Sequence, residues 1–152
     1  MMQNVFDAQE AQNYIDRINK LTPFSTPEWG KMSVDQMFAH CNVTYEMVYE
    51  PHKHKAPGGL AKFILKNFVK PKVVGEKSYA RNSPTSPQFR ITQPQDFILE
   101  KKRLIGFIQK TQQLGRDAFD GKESFSFGKL NAQEWNNMFA KHLNHHLEQF
   151  GV

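Results

Sequence analysis

Apolar residues recur every three or four positions along several long segments of this chain, and this period limits its fold more than any other feature. Between residues 8 and 21 the apolar stripe consists of Ala11, Tyr14, Ile15, Ile18 and Leu21. Such spacing predicts an amphipathic helix, because residues three and four apart lie on the same helix face. Strict alternation of apolar and polar residues, which marks strands, is scarce. We therefore expect an all-α protein.

Two further helices are indicated by the same start signal, a capping box flanked by apolar residues. Ser33 is followed three positions later by Gln36, and Asn131 is followed by Glu134. In such a box each of the two side chains bonds the other residue's backbone N–H, which defines a first helical turn. The boxes predict helix two from Ser33 to about Glu50, and helix four from Asn131 onward.

A third long helix is predicted from Gln95 to Leu114, because Pro94 suits a first helical turn and Gly115 suits a helix end. Its predicted buried stripe consists of Phe97, Leu99, Leu104, Ile105, Ile108 and Thr111. Four long helices with little strand pattern indicate a four-helix bundle.

The connection between helices two and three is long and mostly irregular. Residues 60–69 predict a short helix that ends before Pro71, because proline disrupts a helix interior. From Val73 to Gln93 prolines, serines and asparagines predict a loop of about twenty residues. A loop of that length often covers or borders a functional site.

Length and composition describe an ordinary globular protein. At 152 residues the chain can bury a core without disulfides, and we expect a single domain over residues 1–152. No segment reaches the roughly 20 apolar residues of a membrane span, and the first residues do not resemble a signal peptide. The single cysteine, Cys41, excludes an internal disulfide. We expect a cytoplasmic protein without a membrane partner.

The net charge of +5 raises the question of nucleic-acid binding. The basic residues concentrate in the stretches PHKHK and AKFILKNFVKPK, and there is no arginine-rich stripe with interleaved aromatic residues. A solvated lysine face explains this pattern better than a nucleic-acid interface. We therefore expect no nucleic-acid partner.

Three of the six histidines lie in the stretch KHLNHHLEQF near the C terminus. His142 and His146 lie within about 20° of the direction of Trp135 on the apolar face, whereas His145 is turned away by about 80°. Burying an imidazole without a partner costs about 1 to 3 kcal/mol. One metal ion would satisfy both rings, and their i, i+4 spacing suits it. The alternative is that the rings bond each other, water or a backbone carbonyl.

A third ligand is expected from another helix that faces the same core, and His40 is the candidate. It lies about 60° from Met37, at the border of the inner line of helix two. Three neutral imidazoles with an open fourth position form a catalytic type of zinc, nickel or iron site. We expect Cys41 to be a small buried hydrophobe, and His145 to be exposed or to support the ligands.

The other candidate ligands have ordinary structural interpretations. His52 and His54 belong to a basic segment that we expect in a surface loop. Glu46, Glu134 and Glu148 are carboxylates on helices, where exposure to solvent or capping is the expected role.

The residues around the histidines resemble a known family. His142 and His146, followed by Gln149, resemble the HxxxHxxQ end of the DinB-like superfamily. The stretch QMFAHCN around His40 resembles the helix that carries the first histidine of that superfamily. The segment from FGKL to the C terminus resembles an uncharacterised branch of it. The likeness covers nearly the whole chain.

This resemblance implies a DinB-like four-helix bundle in which His40, His142 and His146 surround a divalent metal ion, usually zinc or nickel. Characterised relatives include bacillithiol S-transferases and a mycothiol-dependent maleylpyruvate isomerase, in which the metal activates a small thiol. Homodimers are frequent among them. The resemblance predicts a metal-dependent enzyme that acts on a small-molecule thiol or electrophile. Such an enzyme would be either a transferase that activates a thiol or a hydrolase that activates water. The alternative is a bundle whose histidines have a metal-binding or structural role without catalysis.

Overall fold

Helices dominate the structure, which confirms the all-α prediction. A computed structural model describes residues 3–152; Met1 and Met2, which the predicted domain includes, lie outside the described residues. In chain order the elements are helices α1 (Ala8–Lys20), α2 (Val34–Tyr49), α3 (Gly59–Ile64), α4 (Lys70–Val74), α5 (Phe97–Leu114) and α6 (Ala132–Gln149), with strands β1 (Lys122–Ser124) and β2 (Gly128–Leu130) between α5 and α6. Among residues 3–152 no helix has both the length and the apolar character needed to cross a membrane.

The four long helices pack around a common apolar core. Helices α1 and α2 each pack against both α5 and α6. The largest side chains that these four helices contribute to the core are almost fully buried, and they are Tyr14, Ile18, Met37, Phe38, Tyr45, Leu104, Ile108, Trp135, Phe139 and Leu143. This packing confirms the predicted four-helix bundle. It also brings the inner faces of α2 and α6 together.

Both capping boxes are present, and they start the two helices that carry the histidines. The backbone N–H of Ser33 donates to Gln36 Oε1 over 3.1 Å at the start of α2. Asn131 and Glu134 each accept from the other's backbone N–H over 2.9 Å at the start of α6. The predicted starts of helices two and four are therefore confirmed.

Helix α5 begins at Phe97, later than the predicted Gln95. The side chain of Asp96 accepts from the backbone N–H of Leu99 over 2.9 Å, and this cap sets the helix start. The predicted end is confirmed, because Gly115 follows the last helical residue with a positive φ of 74°. Only glycine adopts that conformation without strain.

The buried stripe of α5 differs from the prediction at one position. Leu104, Ile108 and Thr111 are buried, and Phe97 and Ile105 are half-buried. Leu99, in contrast, is 52% exposed, and the inward position belongs to Glu100. Its carboxylate accepts from Asn42 Nδ2 over 2.8 Å and from Arg103 over 3.0 Å. These partners offset the cost of burying the charge, which hydrophobic periodicity alone does not predict.

The short helix that was expected to end before Pro71 continues past it, so that prediction was wrong. Helix α3 passes into a π-helical turn at Leu65–Val69, and α4 follows directly. In the π turn the backbone N–H of Lys70 bonds the carbonyl of Leu65, five residues earlier. Pro71 then occupies the first turn of α4, the helical position at which proline is best tolerated.

The predicted long loop is confirmed beyond α4, and the connector before α6 contains a hairpin that the pattern did not predict. From Gly75 to Ser86 the chain has no helix or strand. Strands β1 and β2 are antiparallel, with Lys122 opposite Leu130 and the Ser124 hydroxyl donating to the Gly128 carbonyl over 2.7 Å. Strands of three residues are too short for an alternating pattern to be recognised.

Candidate metal centre

Three histidine side chains from two helices meet between α2 and α6. The ring centroids lie 4.9 Å apart for His40 and His142, 4.5 Å for His40 and His146, and 4.8 Å for His142 and His146. One nitrogen atom from each ring lies within 4.8 Å of the other two. The structure thus brings the three predicted ligands together, in a geometry that can hold one metal ion.

The phase of the two helices explains why these side chains converge. On α2 His40 belongs to the buried side that also contains Met37 and Cys41, which are at most 1% exposed. On α6 His142 and His146 are four residues apart, so both project from the inner face. His40 and His146 are 5% and 7% exposed, so neither ring is satisfied by bulk water.

Two of the rings hold their Nδ1 proton in a hydrogen bond directed away from the cluster. His40 Nδ1 donates to the Phe89 carbonyl over 2.7 Å. His146 Nδ1 donates to Gln149 Oε1 over 2.8 Å, and the Gln149 amide nitrogen donates to the Trp29 carbonyl over 2.8 Å. Because a neutral imidazole has one N–H, the Nε2 atoms of His40 and His146 carry lone pairs that are free to bind a metal.

The third ring, His142, can adopt either tautomer. Its Nδ1 lies 3.0 Å from the Thr44 hydroxyl, which can donate or accept, and its Nε2 lies 2.9 Å from His40 Nε2. With a proton on Nε2, His142 donates a hydrogen bond to His40. With the proton on Nδ1, two lone pairs face each other, and only a cation bound by both would offset their repulsion. Thr44 therefore allows a metal-free and a metal-binding form of the cluster.

Burial keeps the three imidazoles neutral near pH 7. It lowers the pKa of His146 to about 3, and the neighbouring His40 adds to this effect. The pKa of His142 is held well below its ordinary value by burial and then by His146 and His40. Burial also lowers the pKa of His40, against the opposing effect of its bond to Phe89. Neutral rings keep the lone pairs that metal binding requires.

The histidines form part of the wall of a cavity of about 1230 Å³. The long loop contributes Asn82 to Thr92 to the wall, as expected for a loop that borders a site. Many of the other lining side chains are apolar, among them Met47, Val48, Leu65, Val69, Phe127 and Met138. Lys31, Lys55 and Arg90 also line the cavity, whereas none of the described residues in its wall is acidic. The cavity can therefore bind an organic molecule with apolar and anionic parts.

The sequence model of a family described as "Protein of unknown function (DUF1569)" matches residues 3–151. The chain belongs to this family. The match includes all four long helices and the three histidines, although the description assigns no activity. No curated protein and no solved structure matches the chain.

The other histidines of this DUF1569 protein lie outside the cluster. The ring of His145 is 5.0 Å from that of His146 and 5.6 Å from that of Tyr79, so it is half-buried next to the ligand candidates. His52 is exposed in a short 3-10 turn, as expected. His54, which was also expected in a surface loop, has a side chain that is only 13% exposed, because its Nε2 lies 2.8 Å from Glu46 Oε2 of α2.

The carboxylates differ from expectation at one residue. Glu134 caps α6 and Glu148 is exposed, as predicted. The prediction of exposure or capping was wrong for Glu46, whose side chain is only 12% exposed. Its carboxylate pairs with the Arg103 guanidinium of α5 and lies 2.8 Å from His54 Nε2, and these partners make its partial burial acceptable.

The hydrogen-bond partners of the histidines were largely missed by sequence reasoning. Thr44 lies four residues after His40 on α2, but this spacing alone did not indicate a role for its hydroxyl. Gln149 entered only through a family motif, although its spacing three residues after His146 is a usable signal. Phe89 contributes a backbone carbonyl, and a carbonyl has no residue-type signature.

Proposed function

We propose that the protein is a metal-dependent enzyme of the DinB-like type, in which His40, His142 and His146 bind one divalent ion through their Nε2 atoms. The observation that carries this proposal is the separate Nδ1 partner of every ring. Each partner lies outside the cluster, and such outer partners typically orient metal-binding histidines. The resemblance of the histidine motifs to the DinB-like superfamily supports it.

The donor set fits zinc or nickel, the ions that the resemblance implies. Imidazole nitrogens suit zinc, nickel, copper and iron, whereas calcium and magnesium prefer oxygen ligands. Three protein ligands are typical of catalytic zinc sites, in contrast to the four of structural sites. A bound ion of this kind would act as a Lewis acid and lower the pKa of a thiol or a water that reaches it.

The remaining residues of the cavity would bind and orient the reactants. The apolar side chains of Val48, Val69 and Met138 would hold the apolar part of a substrate and exclude water from the histidines. Lys31 and Arg90 would attract a carboxylate or another anionic group. A volume of about 1230 Å³ exceeds the usual pocket of one drug-sized ligand. The cavity therefore has room for a small thiol and an electrophile together, and also for one larger substrate of a hydrolase.

The alternative is a bundle without catalysis, and one observation favours it. His40 Nε2 and His142 Nε2 are 2.9 Å apart, which is a hydrogen-bond distance, so these rings can satisfy each other without an ion. A structural role, however, gives no reason for a large cavity next to the histidines.

Elemental analysis of protein purified without an affinity tag and without chelators tests the metal site. We expect about one equivalent of zinc or nickel in the parent protein, and almost none in His142→Ala. The matched control His52→Ala removes an exposed histidine and should keep the metal. Less than about a tenth of an equivalent of any transition metal in the parent would overturn the proposal.

Activity assays separate an enzyme from a metal-binding bundle. Small thiols would be offered with chlorodinitrobenzene, and a nitrophenyl ester would be offered alone as a hydrolase substrate. We expect consumption of the thiol that requires the metal and is lost in His40→Ala. Metal binding without turnover of either type of substrate would support the non-catalytic alternative.

A further inference from the structure

The helical segment from α3 to α4 exposes an apolar face to solvent. Leu60, Phe63 and Phe68 are 77%, 61% and 67% exposed. Large apolar side chains that cluster at this level of exposure often mark an interaction surface. We call Leu60, Phe63 and Phe68 the outer face of the segment.

The other side of the same segment has a different role, because it forms part of the cavity wall. Its cavity-lining residues are Ala61, Ile64, Leu65, Val69 and Val73, and none of the three outer-face residues is among them. The outer face depends on the π turn. In a regular α-helix the side chains of Phe63 and Phe68 would point about 140° apart around the helix axis. A π turn has more residues per turn, so each residue rotates less about the axis and the angle between these two side chains is smaller. Asn67 Nδ2 supports the turn by donating to the Phe63 carbonyl over 2.8 Å.

The sequence around the outer face is basic. Residues 51–75 include no aspartate or glutamate, and their six lysines are Lys53, Lys55, Lys62, Lys66, Lys70 and Lys72. Three of these pair with glutamates elsewhere, namely Lys53, Lys62 and Lys70. Lys55, Lys66 and Lys72 are exposed, and no carboxylate of residues 3–152 forms an ion pair with them.

We propose that the outer face binds an anionic lipid surface, with the helical segment lying in the plane of that surface. Leu60, Phe63 and Phe68 would enter the boundary between headgroups and acyl chains, while Lys66 and Lys72, which do not line the cavity, would contact anionic headgroups. A helix with apolar residues on one side and unpaired lysines beside them has the composition of an interfacial membrane helix. The proposal departs from the expectation of no membrane partner, which rested only on the lack of a segment long enough to cross a bilayer.

Charge favours a lipid surface over a second copy of the chain as the occupant. Two copies that packed through this face would bring Lys66 and Lys72 of each segment together, and no carboxylate of residues 3–152 pairs with either lysine to offset its charge. Like charges placed opposite each other in an interface oppose association. An anionic lipid surface instead attracts each free lysine.

Cosedimentation of the full-length protein with vesicles tests the proposal. One set of vesicles would contain equal parts of phosphatidylcholine and phosphatidylglycerol, and the other phosphatidylcholine alone. We expect at least about tenfold stronger partitioning into the anionic vesicles, because each lysine that contacts the surface should increase the partition coefficient about fivefold. The double variant Phe63→Ser, Phe68→Ser should partition at least about tenfold more weakly, because two aromatic side chains no longer leave water.

Matched controls distinguish binding through this face from nonspecific adsorption through any exposed apolar side chain. The double variant Phe24→Ser, Ile98→Ser changes two other side chains, which are 90% and 70% exposed, and should bind vesicles like the parent. Circular dichroism should show both double variants folded, since all four positions are exposed. His142→Ala should also bind normally, because the lipid surface does not depend on the metal, so the two proposals can fail separately.

Three results would overturn the proposal. One is equal partitioning into the two kinds of vesicle. Another is an equal loss of binding in the control double variant. The third is a parent dimer that Phe63→Ser, Phe68→Ser converts to a monomer while neither protein binds vesicles, which would assign the face to a second copy of the chain.

Discussion

Gln149 Oε1 accepts the Nδ1 proton of His146 over 2.8 Å, while its amide nitrogen donates to the Trp29 carbonyl over 2.8 Å. One amide thus connects the end of α6 to the segment before α2 and sets the orientation of a candidate ligand. Gly30 has a φ of +80°, and a Cβ placed there would come within 2.8 Å of the Gln149 amide nitrogen. Glycine at this position therefore leaves room for the amide.

Replacing Gln149 should weaken metal binding without removing a ligand. In Gln149→Leu the His146 ring loses the acceptor that sets its tautomer, so we expect zinc affinity to fall by about 10-fold to 100-fold. Competition with a chromophoric chelator measures this change. Gln133→Leu, an exposed position on the same helix, should bind zinc like the parent. Unchanged affinity in Gln149→Leu would contradict the supporting role.

The Thr44 hydroxyl should matter through its hydrogen bond to His142 Nδ1, over 3.0 Å. Thr44→Val keeps the shape of the side chain but removes the partner, so we expect zinc affinity to fall about tenfold. Thr44→Ser keeps the hydroxyl and should retain most of the affinity. The same competition assay applies, and equal affinities for the valine and serine variants would show that the hydroxyl has no role.

Acid should destabilise the metal-free protein before most carboxylates titrate. The pKa of His146 is about 3 in the folded protein, against about 6.5 for an unfolded histidine. Between these values the unfolded chain binds more protons, so the contribution of His146 to stability is complete above about pH 6.5 and declines as the pH falls towards 3. His40 and His142, whose pKa values are also lowered, add to the decline.

Urea unfolding after removal of metal with a chelator measures this dependence. Between about pH 7.5 and 5.5 we expect the free energy of unfolding to fall, by at most about 1.4 kcal/mol per pH unit for each histidine. His146→Gln removes one titrating group and should show a smaller fall over the same interval. A free energy of unfolding that stays constant over this range would contradict the buried neutral histidines.

Cys41 should be unreactive in the folded protein. Its side chain is 1% exposed, and burial raises the pKa of the thiol, so almost no thiolate is available near pH 7. We expect negligible reaction with a disulfide reagent in buffer and one thiol per chain in strong denaturant. Rapid labelling under native conditions would show that α2 opens at this position.

Lys141 should hold the cavity wall in place. Its ammonium group donates to the carbonyls of Lys72 and Gly75, each over 2.6 Å, at the C-terminal end of α4. In Lys141→Met these carbonyls lose their donor, so we expect several-fold faster cleavage between Gly75 and Ser86 by a protease of broad specificity. Lys129→Met, an exposed position on β2, serves as the control and should be cleaved like the parent. Equal cleavage rates would leave Lys141 without this role.

The candidate site could be predicted in part because helix phase is a local property. Ser33 and Asn131 mark the starts of α2 and α6, and the period of 3.6 residues then assigns His142 and His146 to the inner face. The distance of about a hundred residues between His40 and His142 did not prevent this, because two helices that bury apolar faces in one bundle must face each other.

The amino-acid sequence by itself therefore determined the helical class, the starts of the two helices with capping boxes and the three histidines that meet. The tertiary structure alone decided what surrounds them. The Phe89 carbonyl on His40, the pairing of Glu46 with Arg103 and the passage of the helix through Pro71 each depend on partners or backbone geometry that residue type does not reveal. Local propensity acts within a turn or two of helix, whereas these contacts form only when distant segments pack together.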